Sequence, residues 1–306
     1  MQPVLSKIFT SLIRNRLYKF ASNNNYIESN IQKGFWEKIS GCVEHIETLT
    51  HMINNARLKQ RGCVITLLDL KNAFGEVNHS LLYETLKIHH VPDNIITLIT
   101  SLYTDYTISI ITDTYMTSPI KVQRGVLQGD SLSPLLFNLI VNTLINTIKS
   151  EKVECMGFVF EGALSPNHWF QFADDTAIVT ALEQDNQLLC NVFLKWSTWA
   201  DLMIRIDKCH TFGMKKSKTQ SIQFLPFITF KKSRIPPVDL EESFTYLGKK
   251  FKFDMNCEEI KCEMKSDVLD YIVKIDRLPL KSRCKIDIVQ RYIFSKLKWR
   301  FSIYDI

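Results

Sequence analysis

The 306-residue sequence has no run of about 18 consecutive apolar residues, the length a helix needs to cross a hydrocarbon core, so no membrane-spanning helix is expected. Its N-terminus lacks the basic, apolar, small-residue order of a secretory signal. The eight cysteines include no C-x-x-C pair, and the closest spacings are Cys257 to Cys262 and Cys209 beside His210. Neither makes a complete zinc site. The expectation is free, buried thiols without disulfide partners in an intracellular protein, nuclear or cytoplasmic. Internal repeats and low-complexity tracts are also missing. With 45% hydrophobic, 11% aromatic and 23% charged residues, the composition excludes a disordered tail or a collagen-like fibre. The length accommodates one large domain or two lobes around a sizeable core.

The net charge of +6 is unevenly spread. Residues 1–61 carry nine basic and four acidic side chains (+5), and residues 62–207 carry eight and sixteen (−8). Residues 208–248 carry seven and three (+4), and residues 249–306 carry fourteen and nine (+5). An acidic middle between basic ends is either a set of solvated surfaces or a cation-binding centre flanked by lobes that hold an anionic polymer. Charge alone favours the first.

Val4, Leu5, Ile8, Leu12, Ile13, Leu17 and Phe20 recur at helical spacing and predict a helix over 4–21, with another over 41–60. The apolar, β-branched run from Cys63 to Leu68 predicts a buried central strand ending at Asp69. Ser80 is expected to cap a helix reaching about His90, and Pro92 to start one ending near Tyr103. A hairpin is expected over 106–112 and 117–123. Ser133-Pro134 has the cap-and-proline signature of a helix start, and the apolar stretch that follows predicts a deeply buried helix to Ile148. Strands are expected over 157–161, 168–173 and 176–180, with Asp174-Asp175 as the tight turn between the last two. A helix over 184–200, strands over 203–206, 210–214 and 244–253, and helices over 257–278 and 281–299 complete the reading. Strands and helices mix without a β-α-β rhythm, which makes the fold class α+β.

Three places carry chemistry. A carboxylate closing an apolar strand, Asp69, is costly if buried alone, although a cap or a solvated aspartate is the plainer reading of this residue by itself. Asp174 and Asp175 are adjacent like charges at a hairpin tip. They are either solvated turn residues or ligands of divalent cations, since hard carboxylate oxygens completed by phosphate and water are what magnesium prefers. Between them lies Gln123-Arg124-Gly125-Val126-Leu127-Gln128-Gly129-Asp130-Ser131-Leu132-Ser133-Pro134. Two glycines four apart let a backbone approach something bulky, and Gln128 offers both a donor and an acceptor.

The ordered set Asp69-x-x-x-Ala73-Phe74, Gly125-x-x-Gln128-Gly129-x-x-x-Ser133-Pro134 and Phe172-Ala173-Asp174-Asp175 resembles a reverse transcriptase. The Phe-Ala-Asp-Asp form is similar to the enzymes of non-LTR, LINE-like retrotransposons. Arg205-Ile206-Asp207-Lys208-Cys209 and Phe244-Thr245-Tyr246-Leu247-Gly248 resemble the palm lysine segment and the primer-grip hairpin. The resemblance implies a right-hand polymerase: partial fingers over 1–61, a palm with embedded fingers helices and the grip hairpin over 62–253, and the start of a helical thumb over 254–306. It implies RNA-directed DNA polymerisation with an RNA template, a DNA primer and deoxynucleoside triphosphates as partners. The cofactor would be two Mg2+ ions roughly 3.5–4 Å apart, held by Asp69, Asp174 and Asp175. Phe74 would lie under the sugar and exclude a 2′-hydroxyl; most Phe residues are simply core. Arg124, Gly125, Gln128 and Gly129 would border the nucleotide and template base. Lys208 would give a proton to pyrophosphate, or be a solvated lysine. Tyr246, Leu247 and Gly248 would grip the primer, with Lys215, Lys216, Lys218, Lys249, Lys250 and Lys252 as the nearest basic cluster.

Gly75 stands where many relatives have aspartate. The basic fingers hairpin that normally precedes this region, an endonuclease domain and a zinc knuckle do not accompany the motifs, so a truncated copy is expected. An inactive remnant that only binds nucleic acid is the main alternative. An RNA-dependent RNA polymerase is the other, and Phe74 argues against it.

Overall fold

The computed structural model describes residues 4–36, 40–127, 129–151, 153–160 and 165–304. The first helix, α1 (Val4–Asn23), buries Ile13, Leu17 and Ala21 on one face, whereas Val4, Leu5, Ile8 and Leu12 of the same apolar pattern are exposed. Then follow α2 (Gly41–Leu58), strand β1 (Cys63–Leu68), a single turn α3 (Ala73–Glu76), α4 (His79–Ile88) and α5 (Asp93–Tyr103). Ser80 is not the cap of α4. Asn78 holds that position, and its side chain accepts from the Ser80 N–H at 3.0 Å, because an Asx oxygen reaches the second helical amide from the residue outside the helix. The hairpin β2 (Thr107–Ile108) and β3 (Ile120–Lys121) is shorter than expected, with one further bridge between Ile111 and Met116.

Helix α6 (Ser133–Ser150) is buried on almost every face, as its apolar sequence requires. Ser133 is inside the helix and makes no side-chain cap bond. Leu132 stands at the N-cap without a side-chain cap bond, and its N–H donates to the buried Asp130 carboxylate at 3.2 Å. Next come β4 (Trp169–Phe172), β5 (Asp175–Thr180), α7 (Glu183–Trp199), the long hairpin β6 (His210–Ser217) and β7 (Gln220–Phe224), and two small hairpins, β8 (Thr229–Phe230) with β9 (Ser233–Arg234) and β10 (Phe244–Tyr246) with β11 (Lys249–Phe251). The expected strand over 157–161 is a single bridge, Phe158 to Asn167, and Glu161 lies outside the described residues. The strand expected over 203–206 reduces to a bridge between Leu70 and Ile204 followed by a 3-10 turn over Ile206–Lys208. Helices α8 (Glu258–Asp276), α9 (Ser282–Ile288) and α10 (Phe294–Ile303) close the described chain, the last two joined by a π-turn over Val289–Ile293.

The main sheet has the order β4-β5-β1-β6-β7 and every neighbouring pair is antiparallel. β1 is central and apolar on both sides because both faces of the sheet are covered. Cys63 and Ile65 point to Ile46, Leu49, Met52 and Ile53 of α2. Leu68 points the other way, into the cluster built by α6 and α7. Thr66, the one polar residue inside β1, donates to Asn186 Oδ1 on α7 at 2.5 Å, and Asn186 Nδ2 donates to the Val64 carbonyl at 3.1 Å. This locks the first turn of α7 to the strand. Leu49 is fully buried between α2 and the sheet. Leu49→Ala is expected to cost about 2–5 kcal/mol through lost transfer energy and a residual cavity, read as a shift in the urea midpoint without a change in slope.

Candidate active site

The pairing of β1 with β5 runs through Leu68 opposite Thr176. One residue further along the same register, Asp69 stands opposite Asp175, and cross-strand neighbours have Cβ atoms about 4.5–5.5 Å apart. The tight turn differs from the sequence expectation. Phe172 pairs with Asp175, so the two turn residues are Ala173 and Asp174, and Asp175 is the first residue of β5. Ala173 has φ +54°, while Asp174 is not among the positive-φ residues. A hairpin turn with positive φ at its first central residue normally takes glycine there. An alanine in that conformation carries strain of about 1–2 kcal/mol. The strain therefore sits at the residue that directly precedes Asp174 and Asp175.

The three carboxylates repel one another. Asp175 is open on one side but crowded by protein atoms; that burial, then Asp174, then Asp69, pushes its pKa up to about 6. Burial and Asp69 also raise Asp174, against a lowering from its own backbone N–H. Among the described residues the cation paired with Asp69 is Arg205, whose Nε lies 4.0 Å from Oδ2, and Arg205 is shared with Asp207 at 3.3 Å. Among the described residues no group of three or more His, Cys, Asp or Glu forms a cation cage by itself. The donor set nevertheless fits a hard divalent ion that completes its shell with phosphate and water, and the raised Asp174 and Asp175 are what such an ion would relieve.

Asp69 is held from behind. Its N–H donates to Cys209 Sγ at 3.4 Å, the buried thiol donates to the Arg205 carbonyl at 3.2 Å, and the Arg205 N–H donates to the Asp69 carbonyl at 2.9 Å. Phe74 is half-buried, with its ring stacked on the buried Phe137 at 4.3 Å. Phe35, 51% exposed, meets Phe74 edge-on at 6.0 Å and lies 6.5 Å from Phe172. Nothing in the sequence pattern singles out Phe35. Arg124 forms ion pairs with Asp201 and Glu76. Gly125 has φ +94°, and a Cβ there would sit 2.8 Å from the Gly75 carbonyl oxygen. That close approach couples Gly125 to Gly75. Gly129 has φ +82° with open space around it, so backbone conformation rather than room selects glycine. Gln128 lies outside the described residues. Lys208 is exposed on the 3-10 turn next to Cys209.

In the β10–β11 hairpin the tip is Leu247 (φ +46°) and Gly248 (φ +83°). Tyr246 is buried, and its pKa is raised well above the usual tyrosine value by burial, then Asp175, then Cys42. Lys249 and Lys250 of the expected basic cluster lie on β11, with Lys252 just beyond it, and all three are engaged within the protein. Lys249 is buried, donates to Thr50 Oγ1 at 2.9 Å and lies over the Phe251 and Tyr304 rings. Lys250 and Lys252 pair with Glu263 and Glu259 of α8. Lys215, Lys216 and Lys218 are on the far part of the β6–β7 hairpin. His210 pairs with Leu67 near Asp69, so Lys218, eight residues along, is about 27 Å away at about 3.4 Å per residue. A neighbouring charge in sequence was no guide, because side chains alternate and a strand carries its residues away from the site.

His45 of α2 ties this region together. Its Nε2 faces the carbonyl oxygens of Ile31 and Gln171, both at 3.1 Å. Carbonyls only accept, so Nε2 carries the proton and donates. Burial lowers its pKa to about 4. The folded value lies below the unfolded 6.5, so its contribution is complete above pH 6.5 and is lost as pH falls through 4. Asp175, raised, works in the opposite direction over much the same range. The two are separated by difference: the stability gap between the parent and His45→Gln is expected to shrink by roughly 3 kcal/mol between pH 7 and pH 4, measured by urea unfolding. A pH-independent gap would contradict a neutral buried His45.

The antiparallel sheet with helices packed on both faces is a palm-type polymerase fold. A solved telomerase from Candida tropicalis, in complex with a TWJ fragment of telomeric RNA, superposes with a TM-score of 0.51 at 13% identity, covering 98% of this chain and 47% of that one. The family of reverse transcriptases (RNA-dependent DNA polymerases) matches residues 1–251, and the chain belongs to it. It is 25% identical over 274 residues to the retrovirus-related Pol polyprotein from the type-2 retrotransposable element R2DM of Drosophila melanogaster, which covers 89% of the chain and 25% of that relative. It is 28% identical over 212 residues to the Pol polyprotein from a type-1 element R2 of Nasonia vitripennis, covering 68% of the chain and 20% of the relative. The chain thus spans a quarter or less of the length of these two polyproteins. No helix among the described residues is long and apolar enough to cross a membrane.

Proposed function

We propose that this chain is a polymerising core that extends a DNA primer along an RNA template, with Asp69, Asp174 and Asp175 as its catalytic carboxylates. The observation that supports this reading is the β1–β5 register, whose last pair is Leu68 with Thr176, so that the next residues are Asp69 on one side and Asp175, then Asp174, on the other. The three carboxylates would hold two Mg2+ ions. When bound, these supply charge neutralisation for the triphosphate and the primer hydroxyl. The protein's own groups do the rest. Phe74, backed by Phe137, forms a rigid wall where the sugar would sit. Gly125, Gln128 and Gly129 frame the nucleotide and template base, and Arg124, tied to Asp201 and Glu76, stiffens that loop. Lys208, exposed beside the Asp69 support, would hand a proton to the departing pyrophosphate. The Leu247-Gly248 tip would meet the primer, with Tyr246 as its buried root. Residues 1–61 serve as fingers, 62–253 as palm and 254–306 as thumb in this reading.

The test is extension of a labelled DNA primer annealed to RNA, with deoxynucleoside triphosphates and Mg2+. Stepwise growth that stops when Mg2+ is chelated is expected. Binding of the primed template without any growth, over a range of Mg2+ and protein concentrations, would leave only a nucleic-acid-binding role. Phosphate contacts make affinity fall with salt. Because Lys215, Lys216 and Lys218 are remote from the carboxylates, changing all three to glutamine is expected to leave the extension rate within about twofold and to alter the salt slope by at most the number of phosphates they touch.

A further inference from the structure

We propose that Gln32 is the positioning residue for Asp174: its side-chain amide clamps the backbone of Ala173 and holds the strained turn that presents the carboxylate. Gln32 is fully buried. Its Oε1 accepts from the Ala173 N–H at 2.9 Å and from the Gly34 N–H at 2.8 Å. Two backbone donors on one oxygen fix the orientation of the amide, since its nitrogen cannot accept them. Nε2 then faces the Ala173 carbonyl at 3.4 Å. Gln171 Nε2 donates to that same carbonyl at 2.8 Å, while its own Oε1 accepts from Trp169 Nε1 and Thr176 Oγ1. Ala173 is therefore held at both its N–H and its C=O, by side chains from two different segments.

The clamp is itself anchored. The Lys33 N–H donates to the Gln171 carbonyl at 2.9 Å, and the Gln171 N–H donates to the Ile31 carbonyl at 3.1 Å, so residues 31–33 lie along β4 like a short extra strand. Asn138 Nδ2 on α6 donates to the Gly34 carbonyl at 2.7 Å. A Cβ on Gly34 would meet the Ala173 nitrogen at 2.4 Å, so the approach needs glycine there. The Gln32, Gln171 and Gly34 contacts meet at the one residue of the turn whose φ, +54°, suits glycine better than alanine. A turn that resists its own conformation and carries a catalytic carboxylate at its next position requires an outside hold, and Gln32 supplies it from 141 residues away.

This inference rests on the assignment of Asp174 as a catalytic carboxylate only for its effect on rate; the clamp itself is tested separately. Gln32→Ala removes the hold, and in the same chain Ala173→Gly removes the need for it. Hydrogen exchange read by mass spectrometry over residues 169–176 is expected to rise about five- to tenfold in Q32A, the range set by losing one net hydrogen bond. In primer extension, kcat is expected to fall about ten- to a hundredfold with KM for nucleotide little changed, because displacing a catalytic group by on the order of 1 Å costs up to about 10²-fold. In the A173G background the Q32A effect on kcat should shrink to less than about threefold, since glycine keeps the positive φ unaided. Gln32→Asn, one methylene shorter and unable to span both groups, gives the same direction with less risk to folding. Unchanged exchange at 169–176 in both Gln32 variants overturns the clamp, even if the parent shows no polymerase activity. Raised exchange with an undiminished kcat, or a kcat loss of equal size in the parent and A173G backgrounds, overturns its positioning role.

Discussion

Asp174→Asn is expected to lower Mg2+-dependent nucleotide addition by about 10³-fold or more, while the protein folds as well as the parent or better. The substitution keeps the shape of the side chain and removes its charge. A cation site that supplies roughly 4 kcal/mol of transition-state stabilisation is worth about 10³ in rate, and in the proposed site the two neighbouring carboxylates would not replace the missing ligand. The stability expectation has the opposite sign. Burial and Asp69 raise the Asp174 pKa, and Asp174 in turn helps to push Asp175 up to about 6. Removing one negative charge relieves that repulsion, so the thermal midpoint should be equal to or above the parent's and Asp175 should titrate closer to an ordinary carboxylate. Loss of activity together with gained or equal stability is the signature of a group kept for function. A variant that loses activity only in proportion to unfolding would mark Asp174 as structural.

Phe74→Val is expected to admit ribonucleotides, raising the ratio of ribo- to deoxynucleotide incorporation by on the order of 10²-fold, the discrimination that an apolar wall can exert against an added hydroxyl. The ring cannot swing away to admit the larger sugar, because it is stacked on the buried Phe137 at 4.3 Å and met edge-on by Phe35. The same stacking means that the variant should also lose about 2 kcal/mol of stability. Single-turnover incorporation of matched ribo- and deoxynucleotides on one primed template separates the effects: a stability loss slows both, whereas a sugar wall changes their ratio. An unchanged ratio would leave Phe74 as a packing residue of the Phe137 stack.

What can be read in the residues themselves follows from local physics. The apolar run of β1, the all-round apolar α6 and the order of the aspartates are visible because both faces of the sheet are covered and because a carboxylate closing a buried strand is unusual. The position of the turn is not visible. Asp-Asp reads as a turn pair, and nothing local says that Ala173 will take a positive φ; Gln32, far away in sequence, makes that conformation possible. Gln32 and His45 escape a sequence reading for the same reason, since a buried polar residue is recognised only when its distant partners are known. Ser80 reads as a cap that Asn78 provides, and Ser133 reads as a cap although Leu132 holds that position, shifts of one or two residues that leave the helices in place. Lys249 is a charge that the fold buries over two rings, and Lys250 and Lys252 are paired with acidic residues of α8. The charge of a segment therefore does not report the charge of a surface.

The most direct test of the central claim is the location of a divalent cation. Crystals of the protein with a primed RNA template and a non-reactive deoxynucleotide, grown in Mn2+, should give anomalous difference peaks about 2.0–2.2 Å from carboxylate oxygens of Asp69 and of Asp174 or Asp175. The account predicts that Asp174→Asn removes or weakens those peaks while the sheet stays in place. Ordered nucleotide and primer with Mn2+ bound away from all three aspartates would contradict it.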